Sequence, residues 1–81
     1  MTDISETLDE RALTHGDFTA VALQAQTIKA TFPPSLPATQ NEALDLIATK
    51  IARICNGDNL EPDHWLDIEG YARLISERLK K

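Results

Sequence analysis

The sequence predicts an all-α fold: a helical hairpin at about 40–55 and 62–79, packed with a helix at about 18–31 and preceded by a short N-terminal helix. In each of these stretches apolar residues recur at spacings of three and four, which is typical of amphipathic helices. No segment between turn residues alternates polar and apolar side chains as a half-buried strand does. With 81 residues, the chain is expected to form one domain, 1–81. A domain of this size buries only about 60% of its unfolded surface, so we expect a homo-oligomeric bundle to supply further stability.

The first third of the chain contains two of the predicted helices. Residues 3–13 form a short amphipathic pattern, for which both fraying and docking on a partner subunit are open. Gly16 interrupts the pattern and leaves His15 in a loop, as a simple loop residue or as a polar group of a site. Asp17 is a good N-cap for the helix at about 18–31. The apolar face of that helix consists of Phe18, Val21, Ala22, Ala25, Ile28 and Phe32.

A proline-rich connector over residues 33–38 ends this helix. Three prolines in five residues cannot continue a helix and favour an extended, stiff conformation. We interpret the segment as a linker from which Leu36 reaches the core. The alternative is a proline-rich ligand for a partner domain.

The first helix of the hairpin has predicted signals at both ends. Thr39 and Glu42 have the spacing of a capping box, and Asn56-Gly57 supplies a left-handed stop. We expect Cys55 to be a buried thiol, because free cysteine is among the most buried residue types. The apolar stripe of this helix is Leu44, Ile47, Ala48, Ile51 and Cys55.

The second helix of the hairpin is predicted to begin at Pro62, since proline suits a first helical position. Gly70 costs this helix about 1 kcal/mol relative to alanine. Its presence indicates a close helix crossing, a ligand near the backbone or a tolerated glycine. The buried stripe is predicted to be Trp65, Ile68, Ala72, Ile75 and Leu79.

Charge and composition exclude several classes of function. The net charge of −5 disfavours binding to a nucleic-acid backbone, which needs clustered Lys and Arg. No apolar run approaches the roughly 20 residues of a membrane span, and the acidic start does not resemble a signal peptide. One cysteine cannot build a disulfide scaffold. We therefore expect a cytoplasmic protein.

The hairpin also carries the side chains that predict a site. Carboxylates one helical turn apart can bind magnesium, which prefers oxygen ligands. Two such pairs occur, and cations and further polar groups lie near them in the sequence. The predicted metal ligands are Glu42, Asp45, Asp63 and Asp67, the predicted phosphate ligands are Lys50 and Arg53, and the other polar groups are His15, His64 and Tyr71.

Two considerations limit this prediction. An antiparallel hairpin separates Glu42 and Asp45 from Asp63 and Asp67, so a shared metal site needs assembly of several chains. The simpler alternative is a solvated helix face, on which Asp67 and Arg53 form only a salt bridge. Nucleophilic catalysis is a poor fit, because Cys55 has no histidine near it in the sequence and no G-x-S-x-G motif occurs. The chain also has no glycine-rich phosphate loop.

Several motifs resemble a known family of short proteins carried by bacteriophages and prophages. The similar segments are THGDF, EALDLIATKIARI, GD and DHWLDIEGYARL, which together extend over about residues 14–75. This resemblance implies no particular activity.

A more distant similarity is to the all-α nucleoside triphosphate pyrophosphohydrolases of the MazG type. Their E-x-x-E motif corresponds to Glu42-x-x-Asp45, and their E-x-x-D motif to His64-x-x-Asp67, with Asp63 directly before it. A histidine therefore replaces one glutamate ligand. The resemblance implies dimers or tetramers, a magnesium cofactor and release of pyrophosphate from a nucleotide.

The sequence thus predicts a phage-type helical domain that binds, and as an enzyme would hydrolyse, a nucleotide with magnesium in the host cytoplasm. It assigns no catalytic residue. The alternative function is a non-enzymatic interaction module that inhibits or redirects a host protein.

Overall fold

The computed structural model describes residue 10 and residues 12–80. These residues form three helices, α1 (Phe18–Lys29), α2 (Ala38–Asn56) and α3 (Pro62–Leu79), after a helical end at residues 12–15. No strand occurs in this part of the chain, so the all-α prediction is confirmed. The predicted N-terminal helix over 3–13 lies mostly outside the described residues. None of the helices described is long and apolar enough to cross a membrane.

Helix α1 begins as the sequence predicts and ends earlier. The Asp17 carboxylate accepts a hydrogen bond from the Ala20 amide at 3.2 Å, which satisfies a free donor of the first turn. At the other end the amides of Thr31 and Phe32 bond to carbonyls three residues back, so the last turn tightens. Pro33 has no amide donor and cannot extend the helix.

Helix α2 differs from the prediction at both ends. It begins at Ala38, and Pro37 occupies the N-cap position with no side-chain hydrogen bond. Thr39 and Glu42 therefore lie inside the helix. The predicted capping box is wrong because the helix begins two residues earlier, directly after the proline-rich connector. Gly57 has φ −130°, so the predicted left-handed stop is also wrong. Gly57 is needed for a different reason, which is its close approach to residues 14–16.

The helices are arranged around α2. Helix α2 packs against both α1 and α3, whereas α1 and α3 do not contact each other. The molecule measures 49 × 24 × 23 Å, and its radius of gyration of 14.6 Å exceeds the value of about 12 Å expected for a compact domain of this length. The outer helices therefore each have a large surface that α2 leaves uncovered.

The core is built from small side chains. Its buried apolar members are Val21, Ala25, Ala43, Ala48 and Ala52. Alanines on α2 let the neighbouring backbones approach closely, but they bury little apolar area. Since burial contributes about 25 cal/mol per Å², this core stabilises the fold less than one of leucines and phenylalanines.

Several predicted core residues lie on the surface instead. Cys55 is exposed, so the prediction of a buried thiol is wrong. Phe18 is 81% exposed, Trp65 55% and Leu79 64%, and Ala72 is also exposed.

The face of α3 toward α2 is rotated by about one residue from the predicted stripe. Its less exposed residues are His64, Asp67, Ile68, Tyr71 and Ile75, of which Ile68 and Ile75 belong to the prediction. A hydrogen bond from His64 to the Thr14 carbonyl accounts for this rotation, because it directs the His64 side of α3 inward.

Two glycines allow the backbone to cross itself closely at one end of the molecule. Gly16 has φ +88°, and a Cβ there would lie 2.5 Å from the Asn56 carbonyl oxygen. A Cβ on Gly57 would lie 2.4 Å from the Thr14 carbonyl oxygen. The Asp58 amide donates to the same Thr14 oxygen at 3.0 Å. We call this contact between residues 14–16 and 56–58 the glycine junction.

We expect Gly16→Ala and Gly57→Ala each to lower the free energy of unfolding by more than about 2 kcal/mol, because the added methyl group collides with backbone and, at Gly16, forces a left-handed residue. Gly70→Ala is the matched control: outside the local helix backbone, no described atom lies within 4 Å of a Cβ there, and alanine is the better helix former. Urea unfolding followed by circular dichroism measures all three. Equal midpoints for the three variants would contradict a tight junction.

Candidate functional site

A cavity of about 560 Å³ lies where residues 12–17, α1 and α2 meet. This volume is in the range of small-molecule sites, which are mostly apolar with a few polar groups. The lining residues are Ala12, His15, Gly16, Asp17, Phe18, Val21, Ala22, Ala25, Gln26, Lys29, Thr49 and Arg53.

The helices bring the lining together by simple spacing. On α1, Phe18, Ala22, Ala25 and Lys29 follow one another at intervals of four, three and four, so they share a face. On α2, Thr49 and Arg53 are one turn apart. Val21 and Ala25 are buried and form the apolar floor, whereas Phe18 is largely exposed.

The charge of the lining is positive. Arg53 and Lys29 are both partly buried, and Asp17 is the carboxylate among the lining residues. The Asp17 carboxylate already accepts the capping hydrogen bond from Ala20. The cavity is therefore a locally cationic place in a chain of net charge −5.

His15 enters the cavity lining from the glycine junction. It is the last residue of the helical end at 12–15, and so it is not in a loop as predicted; the Gly16 amide still bonds to the Ala12 carbonyl at 2.9 Å. Its Nδ1 lies 3.5 Å from Nε2 of His64, and the two ring centroids are 5.0 Å apart. His64, on α3, thus contacts the ring of His15 and helps to position it.

His64 is held in one tautomer by its surroundings. It is 1% exposed, and its Nε2 donates to the Thr14 carbonyl, which can only accept, at 3.0 Å. In the neutral ring Nδ1 then carries the lone pair, and this atom has no hydrogen-bond partner among the described residues. A buried polar atom without a partner is unusual. Nδ1 of His64 is in this position because the hydrogen bond of Nε2 to the Thr14 carbonyl fixes the orientation of the ring.

Lys50 and Asp67 form a pair outside the cavity. The Lys50 ammonium lies 2.7 Å from the Asp67 carboxylate, linking α2 to α3. The hydrogen bond from Lys50 holds the pKa of Asp67 below its ordinary value of 3.8; partial desolvation opposes this, and the positive charges of Lys50 and Arg53 lower the pKa further. In this structure Lys50 therefore serves an ion pair between helices.

The predicted metal ligands are not gathered into one site. In the part of the chain that the structure describes, no three His, Cys, Asp or Glu side chains converge as a metal site requires. Glu42 and Asp63 are exposed, whereas Asp45 and Asp67 are partly buried. These residues do not fit a preformed magnesium site, and magnesium binding stays a prediction.

Of the other predicted site residues, Arg53 and His15 line the cavity, whereas Tyr71 lies on the α2-facing side of α3. The sequence prediction missed Lys29 and Phe18. The spacing of Phe18, Ala22, Ala25 and Lys29 along one helix face was the available signal.

Comparison of the chain with protein-family models, with curated proteins and with solved structures gave no match. The similarities to phage proteins and to MazG-type enzymes therefore stay predictions.

We expect Asp67→Asn and Lys50→Met each to destabilise the protein at neutral pH. Because the folded pKa of Asp67 is depressed, its ionised form stabilises the fold above pH 3.8, and this contribution is lost as the pH falls through the lower folded value. The difference from the wild type should thus shrink in acid. Thermal unfolding between neutral and acidic pH measures it.

Glu42→Gln, at an exposed position of α2, is the matched control for the loss of one carboxylate. A stability gap between the wild type and Asp67→Asn that stayed constant into strong acid would contradict the ion pair as its cause.

Proposed function

We propose that this small helical protein, in keeping with its phage-type motifs, binds a nucleotide in the cavity between α1 and α2. One observation carries the proposal: the cavity combines two cationic side chains, Arg53 and Lys29, with an apolar wall and an exposed Phe18. A nucleotide has the matching composition, which is an anionic phosphate group attached to a flat, largely apolar base.

The two cations suit phosphate recognition in different ways. The Arg53 guanidinium is a planar fork that binds two phosphate oxygens at once, whereas the Lys29 ammonium acts as a compact charge. Both are partly buried, so salt screens their attraction less than it screens surface charges. Since two cations line the cavity together with the single carboxylate of Asp17, which also caps α1, the balance of charge at the cavity favours an anion.

Phe18 supplies the other half of the recognition. Stacking of a base on an aromatic ring contributes about 1–3 kcal/mol and tolerates every base. An 81% exposed phenylalanine beside a cavity is costly for a monomer in water, and a stacked base would cover it. His15 and Gln26 offer hydrogen-bonding groups next to it.

Magnesium enters this proposal with the nucleotide. Its hydrated ion is bound readily through substrate phosphates and one or two carboxylates. Glu42, Asp45, Asp63 and Asp67 do not converge with other metal-binding side chains among the described residues, so the phosphates of the nucleotide would hold the ion. The function proposed for the cavity is therefore nucleotide binding, without a hydrolytic residue.

A second function, a protein-interaction module, is favoured by a different observation. Large apolar side chains lie on the surface while the core consists of one valine and alanines. Exposed apolar patches often mark protein contacts. Among the described residues the exposed large apolar side chains are Leu13, Phe18, Leu23, Leu46, Leu60, Trp65, Leu66, Leu74 and Leu79.

We expect nucleoside triphosphates to raise the melting temperature of the wild-type chain. Ligand at about ten times its Kd stabilises by about 1.4 kcal/mol, or roughly 6–11 °C for a domain of this size. Arg53→Gln should weaken binding at least about tenfold, because it removes a charged hydrogen-bonding group. Parallel titrations with and without magnesium determine whether the metal accompanies the phosphates.

Arg73→Gln is the matched control, because this arginine is on α3 and does not line the cavity. Equal loss of binding in both variants would indicate general charge attraction. A wild-type chain that shows no shift with any nucleotide, and that captures a host protein through Trp65, would favour the interaction module.

A further inference from the structure

The outer face of α3 carries an apolar pattern with a gap at its centre. Leu66 and Leu74 are 58% and 59% exposed, and Gly70 lies midway between them. Among the described residues, no atom outside the local backbone of α3 lies within 4 Å of a Cβ added to Gly70. A shallow groove of about 400 Å³ lies at this point and is lined by Gly70, Arg73, Leu74, Glu77 and Arg78.

This gap lies where a two-fold axis between two antiparallel α3 helices could pass. Gly70 is the ninth of the 18 residues of α3, so it lies at the centre of the helix. A second α3 running antiparallel across Gly70 would place Leu66 of each copy against Leu74 of the other. The absence of a side chain at Gly70 lets the two backbones approach where the axes cross, as small residues do at helix contacts.

The charges of α3 select the antiparallel direction. The N-terminal half carries Asp63, Asp67 and Glu69 without a Lys or Arg, whereas Arg73 and Arg78 in the second half outnumber Glu77. A parallel pair would place like charges together.

In the antiparallel pair the ion pairs are specific. With Gly70 at the crossing point, each residue faces the one equally far on the other side of Gly70 in the second copy. Arg78 therefore lies one position from Asp63 of the second copy, and Arg73 faces its Asp67, with its Glu69 two positions away. Glu77 faces the second copy's Asp63, and its charge is offset within its own chain by Lys80 at 3.1 Å and Arg73 at 3.8 Å.

We propose that α3 forms an antiparallel two-fold dimer with a second copy of this chain, through the face made of Asp63, Leu66, Gly70, Arg73, Leu74 and Arg78. Because the alanine-rich core buries little apolar area, dimerisation would add stability by burying leucines that the monomer leaves in water. This surface contains no residue of the nucleotide cavity, so dimer formation and nucleotide binding can be tested independently.

The test is a charge exchange on the full chain, with mass measured by light scattering after size exclusion. The wild type should show twice the 9.0 kDa of one chain. Asp63→Lys and Arg78→Glu should each raise the dimer Kd at least about tenfold, because each places like charges of positions 63 and 78 beside one another at two places in the dimer. The double variant Asp63→Lys/Arg78→Glu should restore the dimer, since each exchanged pair then attracts again.

Leu74→Glu tests the apolar contact and should give a monomer, whereas Leu23→Glu, an exposed leucine on α1, should leave the dimer intact. Circular dichroism should show every variant folded, because all these positions are exposed. A monomeric wild type, a dimer that survives Leu74→Glu, or a double exchange that fails to restore pairing would each overturn the proposal.

Discussion

The glycine junction is the contact on which the rest of the structure depends. One carbonyl, that of Thr14, accepts from the Asp58 amide and from the His64 ring, both at 3.0 Å. Two backbone segments must approach within hydrogen-bonding distance for this, and Gly16 and Gly57 are the residues that leave room. The junction fixes three things at once: the end of α2, the rotation of α3 about its own axis, and the place of His15 beside the cavity.

The features of the fold that local chemistry decides could be predicted from the sequence. Asp17 caps α1 and Pro62 opens α3, because capping depends on one side chain and its neighbouring amides. The rotation of α3 could not be predicted in this way. Apolar spacing locates a helix face only to within about a residue. In α3 the buried residue is His64 and not Trp65, because the hydrogen bond from His64 to the Thr14 carbonyl fixes which side of the helix faces inward.

The same distinction applies to the site. The sequence predicts Arg53 on a helix and His15 in a loop as polar groups of a site, but spacing along the chain does not show which other helix lies opposite them. Lys29 was missed because it lies on α1, far along the chain from the hairpin that holds the other charged groups. The grouping of four carboxylates was based on spacing within each helix, whereas a metal site depends on distance between helices, and in the described chain these carboxylates do not converge.

The alanines of α2 connect the small core with the two proposed surfaces. Because α2 presents Ala43, Ala48 and Ala52 at its contacts, the outer helices pack close to it and their own large residues turn away. Helix α1 then exposes Phe18 beside the cavity, and α3 exposes Leu66 and Leu74 around Gly70. Since α1 and α3 do not touch, any coupling between the two surfaces must pass through α2 or through the glycine junction. The junction offers the shorter route, because the ring of His15 in the cavity lining contacts the ring of His64 on α3.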